Sequence, residues 1–70
     1  MNRYQLRKAR AIAGVLVIAA AASDTPMSLL PVLAARMSHE EWITVSLQAG
    51  VPVADHAAKV LTVALLGNLA

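Results

Sequence analysis

Read from its N-terminus, the chain changes character within its first helix. Arg3, Arg7 and Arg10 recur at i, i+4, i+7 while Leu6, Ala9, Ala13 and Leu16 share another face, so the spacing predicts one helix over residues 3–22. That helix begins amphipathic and ends apolar all round, because residues 11–22 read AIAGVLVIAAAA. Ser23-Asp24-Thr25-Pro26 stops it. Thr25 stands where it can cap a second helix with Pro26 in first position, where a missing N–H costs nothing. Pro31 then removes the bond to the Met27 carbonyl, and a kink is expected within residues 26–36.

Ser38-His39-Glu40-Glu41 has the spacing of a capping box: the serine hydroxyl accepts from the Glu41 N–H and the Glu41 carboxylate accepts from the Ser38 N–H. A third helix is expected to start there, with Trp42, Val45 and Ala49 on one face and Glu41, Thr44 and Gln48 on the other. Ile43, Val45, Leu47, Ala49, Val51 and Val53 also alternate with mostly polar partners, which is strand period. The capping box favours helix for residues 43–49. Gly50-Val51-Pro52 ends that helix and opens a fourth, with Asp55, Lys59 and Thr62 as a narrow polar stripe, Asp55 and Lys59 as an i, i+4 pair, and Gly67-Asn68 as the stop. The expected fold is all-α: three to four short helices, as a small helical bundle or as a membrane-inserted helix with amphipathic C-terminal helices. It forms one domain, residues 1–70, comprising a basic head (1–10), an apolar stretch (11–35) and a helical pair (38–70).

Composition raises the question of what covers so much apolar surface. The chain is 59% apolar and 14% charged over 70 residues, whereas soluble domains average roughly 45–50% and 25%. With no cysteine, disulfides cannot supplement a small core. The excess must meet lipid or another protein surface. Residues 1–10 hold Arg3, Arg7, Lys8 and Arg10 and no anion, an arrangement suited to the cytoplasmic face of a membrane, where each cation near anionic lipid contributes about 1 kcal/mol. The plainer alternative is a solvated first turn whose cations confer solubility.

The apolar block admits three outcomes. A basic head, an apolar run and Ala20-Ala21-Ala22 before Ser23 fit a secretory signal, the mature peptide then being secreted. At ~1.5 Å per residue, residues 11–22 reach only about 18 Å of a ~30 Å hydrocarbon layer, so a spanning helix would need residues 11–35, N-terminus cytoplasmic and Trp42 as an interface anchor outside. Ser23, Asp24, Thr25, Pro26 and Pro31 would then form a mid-membrane or partner-contact surface. Residues 11–22 and 27–35 can alternatively turn at Ser23-Asp24-Thr25 as a hairpin, lying in the interface or folded on the last two helices. As a core helix, finally, the block would need partners on every side.

Catalytic chemistry finds little support. Asp55-His56 and His39-Glu40-Glu41 match no metal-ligand spacing, no serine has a nucleophile-elbow context, and no glycine-rich phosphate loop is present, so neither enzyme activity nor a cofactor is expected. Residues 45–51, VSLQAGV, resemble the turn of a helix-turn-helix. That family's buried recognition-helix positions would fall on His56 and Lys59, and the cations lie elsewhere, so nucleic-acid binding is not favoured.

Gly50-Val51-Pro52 followed by Ala57-Ala58-Lys59-Val60-Leu61-Thr62-Val63 resembles the first helix of circular bacteriocins, and Ala9-Arg10-Ala11-Ile12-Ala13 is similar to the segment around their closure point. The resemblance implies a saposin-like helical bundle, joined ends and membrane permeabilisation, with Arg3, Arg7, Lys8 and Arg10 attracting anionic lipid. This chain departs from that family in having few glycines and in placing its basic cluster at residues 3–10. A basic head, one apolar stretch and a short outer tail also resemble the single-gene lysis proteins of small phages, which implies Asp24, Pro26 and Pro31 as the contact with an integral membrane protein. The expected function is a small cationic membrane-active protein with lytic or antibacterial effect. Its partners are membrane lipid or an envelope protein, with self-association open. The alternative is a soluble four-helix regulator of a protein partner.

Overall fold

Residues 3–51 and 56–69 are described by a computed structural model, and four helices carry most of them: α1 (Arg3–Ala22), α2 (Leu30–Ala35), α3 (His39–Gln48) and α4 (His56–Leu69). No strand occurs among the described residues, so residues 43–49 are helical and their alternation is coincidental. The all-α bundle measures 30 × 23 × 18 Å, with α1 along α4, α2 also resting on α4, and α3 packed chiefly on α1.

The helix boundaries have local causes. At the end of α1 the Thr25 N–H donates to the Ala20 carbonyl at 2.9 Å and the Asp24 N–H to the Ala21 carbonyl at 3.4 Å, with Asp24 at φ 56°. This is a Schellman ending in which aspartate holds the left-handed position usually given to glycine. Thr25 therefore closes α1 rather than capping a second helix, which corrects the expectation from sequence. The chain next makes a 3₁₀ turn at Met27–Leu29, and the Met27 carbonyl accepts from the Leu30 N–H. Pro31 cannot supply the α-type bond to that carbonyl, so its effect is a 3₁₀-to-α junction, with the proline in the first turn of α2.

The capping box forms as expected. The Glu41 N–H donates to Ser38 Oγ at 3.2 Å, and the Ser38 N–H donates to Glu41 Oε1 at 3.0 Å. The bond from the Ser38 N–H is the main reason that the Glu41 carboxyl lies below its ordinary range, the Ser38 hydroxyl and the Lys59 charge adding smaller shares. A lowered folded-state pKa means that this contribution is complete above the ordinary carboxyl value and is lost as pH falls through the lowered one. Ser38→Ala should cost about 1 kcal/mol of stability. Glu41→Gln should narrow its stability gap from the parent chain as a urea titration moves below about pH 4.5, where the carboxyl of the unfolded chain starts to protonate while the folded one still resists.

At the other end of α3, Gly50 at φ 76° completes a second Schellman ending, through Val51 N–H to Ser46 O at 2.8 Å and Gly50 N–H to Leu47 O at 3.0 Å. The expected opening of the fourth helix at Pro52 and the Asp55–Lys59 pair involve residues 52–55, which lie outside the described residues. Gly67 and Asn68 do not stop α4, which runs through both to Leu69.

The core is built mainly from small side chains. Ala13, Ala20, Leu30, Ala34 and Leu66 form one cluster, and Ile12, Trp42, Val51 and Ala58 a second, with Leu16 and Met37 touching both. Along the α1–α4 seam, Ala9 and Ala13 are buried on α1 and Ala58 and Thr62 on α4, so small residues at i, i+4 line both helices and let them approach closely. Thr62 was expected on a polar stripe but is fully buried. It remains compatible with the core because Oγ1 donates to the Ala58 carbonyl at 2.7 Å within its own helix.

Candidate functional site

Two features stand out on the surface: the outer face of α1 and a groove beside α3. On α1, burying Ala9, Ile12, Ala13 and Ala20 turns the opposite side outward. Arg3, Tyr4, Arg7 and Arg10 are exposed over its first half, followed on that side by exposed Ala11, Gly14, Ile18 and Ala22. Ile18 is 71% exposed. The fourth cation, Lys8, lies with Nζ 4.1 Å from the centroid of the Tyr4 ring, one turn away. The strip is thus cationic for two turns and then apolar to its end, with 3.6-residue periodicity keeping both parts on one side.

The groove encloses about 710 Å³ between the C-terminal half of α1, α2 and α3. Leu16, Ala20, Leu30, Ala34 and Val45 line it, with Arg36 on one side and Glu40, Glu41, Thr44 and Gln48 on the other.

Ser23, Asp24, Thr25, Pro26 and Pro31, read from sequence as a mid-membrane or partner-contact surface, lie at the turn between α1 and α2 rather than within one spanning helix. Residues 11–35 are not a continuous helix, since α1 ends at Ala22 and the backbone turns through Ser23–Thr25 into the 3₁₀ turn. Among the described residues no helix is long and apolar enough to cross a membrane. Ser23 Oγ donates to the Ala19 carbonyl at 2.9 Å, and Ser23 Oγ and Thr25 Oγ1 are 2.8 Å apart. Because the serine proton is committed to Ala19, the threonine hydroxyl donates in that pair. Ser23 and Thr25 therefore satisfy their hydroxyls within the turn, while Pro26 and Pro31 set the path into α2.

The positive φ of Asp24 gives a test that separates backbone need from carboxylate chemistry. Asp24→Gly keeps the turn and should leave stability unchanged or raise it by up to about 1 kcal/mol, whereas Asp24→Leu should lower it by roughly 1 kcal/mol. Urea titration of both variants reads this ordering, and a leucine variant as stable as the glycine variant would count against the role given to the turn.

Trp42, expected as an exposed interface anchor, is 3% exposed and sits in the second core cluster. Its indole packs near Ile12 and Ala58 because α3 presents Trp42 and Ser46 inward. Lys59 Nζ donates to the Met37 carbonyl at 2.9 Å, tying α4 to the α2–α3 connection. Nothing in the local spacing signals this bond, whose partners lie 22 positions apart. Among the described residues no three His, Cys, Asp or Glu side chains converge as a metal site. Compared with known proteins, the chain matches no family model, no curated protein and no solved structure.

Proposed function

We propose that this chain is a small cationic membrane-active protein that binds anionic lipid through the outer face of α1 and perturbs the bilayer, with lytic or antibacterial effect. The observation carrying this reading is the sequence of exposed groups along that face: Arg3, Arg7 and Arg10, then Ala11, Gly14, Ile18 and Ala22. A helix lying in the membrane interface needs cations to meet phosphates and an apolar strip to enter the acyl boundary.

Packing supports the same reading. Among the described residues, half of the ten buried hydrophobic ones are alanines, while Ile18, Val32, Leu33, Leu47, Val60 and Leu69 are exposed. In water the larger aliphatic groups gain most from burial. Small residues between helices with large aliphatic groups outside suit an exterior that meets lipid.

Sedimentation with vesicles tests the proposal. The protein should pellet with phosphatidylglycerol vesicles at low salt, much less with phosphatidylcholine vesicles, and release entrapped dye from the former. Recovery in the supernatant with both would overturn it and support the partner-binding regulator instead.

A further inference from the structure

Resting on that membrane reading, we propose that the inner face of α3 is a second lipid-binding surface, exposed when α3 swings away from α1 at the membrane so that Trp42 and Ser46 enter the lipid–water boundary. The bundle buries both side chains. Trp42 Nε1 and Ser46 Oγ are inaccessible and have no hydrogen-bond partner among the described residues, and Ser46 is 1% exposed. They lie one turn apart on the same face of α3, so one movement exposes both. Buried polar groups without partners are unfavourable, and the boundary offers each a partner. Tryptophan fits that layer well, because its ring prefers an apolar setting while its N–H seeks a polar one.

The attachment of α3 allows such a movement. It packs chiefly on α1, with Trp42 also reaching Ala58 of α4 and the Lys59 bond to the Met37 carbonyl as the tie to be broken, and the groove separates much of its other flank from α2. Met37–Ser38 precedes the helix, and Gly50 at φ 76° follows it. Released, α3 presents Trp42, Val45 and Ser46 one way and Glu40, Glu41 and Thr44, with Ile43 and Leu47 among them, the other, which leaves its carboxylates in water as the inner face enters lipid.

The chain has one tryptophan and no cysteine, so two probes report on this face without background. In buffer, Trp42 emission should be blue-shifted and resist acrylamide. With phosphatidylglycerol vesicles brominated near the headgroup end of the acyl chains, it should lose most of its intensity. Ser46→Cys breaks no hydrogen bond among the described residues, and its thiol should react with a maleimide about ten-fold faster on such vesicles, unbrominated, than in buffer, as a shift toward the open state requires. Protein that pellets while its thiol rate is unchanged and Trp42 stays unquenched overturns the opening and leaves surface binding by α1 intact. Failure to pellet overturns both.

Discussion

Trp42→Ala is expected to abolish the cooperative thermal transition of the bundle. Removing a buried aromatic side chain costs about 3–5 kcal/mol, whereas a chain of 70 residues holds roughly 4–10 kcal/mol in total. Little can compensate, because Trp42 shares its cluster with Ile12, Val51 and Ala58, and the other cluster relies on Ala13, Ala20 and Ala34. Trp42→Phe separates volume from polarity. It keeps an aromatic ring and removes an N–H that has no partner among the described residues, so it should melt within a few degrees of the parent. Thermal unfolding followed by far-ultraviolet circular dichroism reads both. An alanine variant with a transition less than about 10 °C below the parent would contradict the assigned weight of Trp42, since each kcal/mol moves the midpoint of so small a domain by roughly 4–8 °C.

What could be read in the sequence was mostly local. The extent of α1 follows from its arginine spacing and apolar run, and the start of α3 follows from Ser38 and Glu41, whose reciprocal bonds need only a three-residue offset. Pro31 likewise announced a disturbance at the Met27 carbonyl. Properties set by tertiary packing were harder to read. Polarity places Thr62 in a stripe with Asp55 and Lys59, yet a hydroxyl that satisfies itself on the preceding turn becomes a small core residue. Trp42 was assigned to a membrane interface by residue type, but a core otherwise built largely on alanine draws in its large ring. Asp24 is the one charge in an apolar stretch, and its position follows from a left-handed backbone that aspartate tolerates better than most residues. The outer face of α1 was half visible. Its arginine row was plain, but which side of the all-apolar second half stays uncovered depends on where α3 and α4 lie.

That uncovered side leads to the second large effect. Replacing Arg3, Arg7 and Arg10 together by glutamine should weaken partition onto phosphatidylglycerol vesicles at low salt by about two orders of magnitude, because each cation near an anionic surface contributes roughly 1 kcal/mol and about 1.4 kcal/mol is ten-fold. Glutamine is nearly as good a helix former as arginine, and the three positions are exposed, so the melting midpoint should stay close to that of the parent. Loss of binding without loss of stability assigns these cations to the lipid surface, and equal partition of parent and variant would exclude the role. Ile18→Asn complements the triple variant at the other end of the same strip, removing apolar area while keeping every charge. Its residual binding should remain salt-sensitive, because the arginines still attract phosphates, whereas the triple variant should lose most of its salt dependence. If the proposed reading holds, dye release requires both halves of the face, so each variant should release less dye than the parent at equal bound protein, and Ile18→Asn should separate binding from release more clearly.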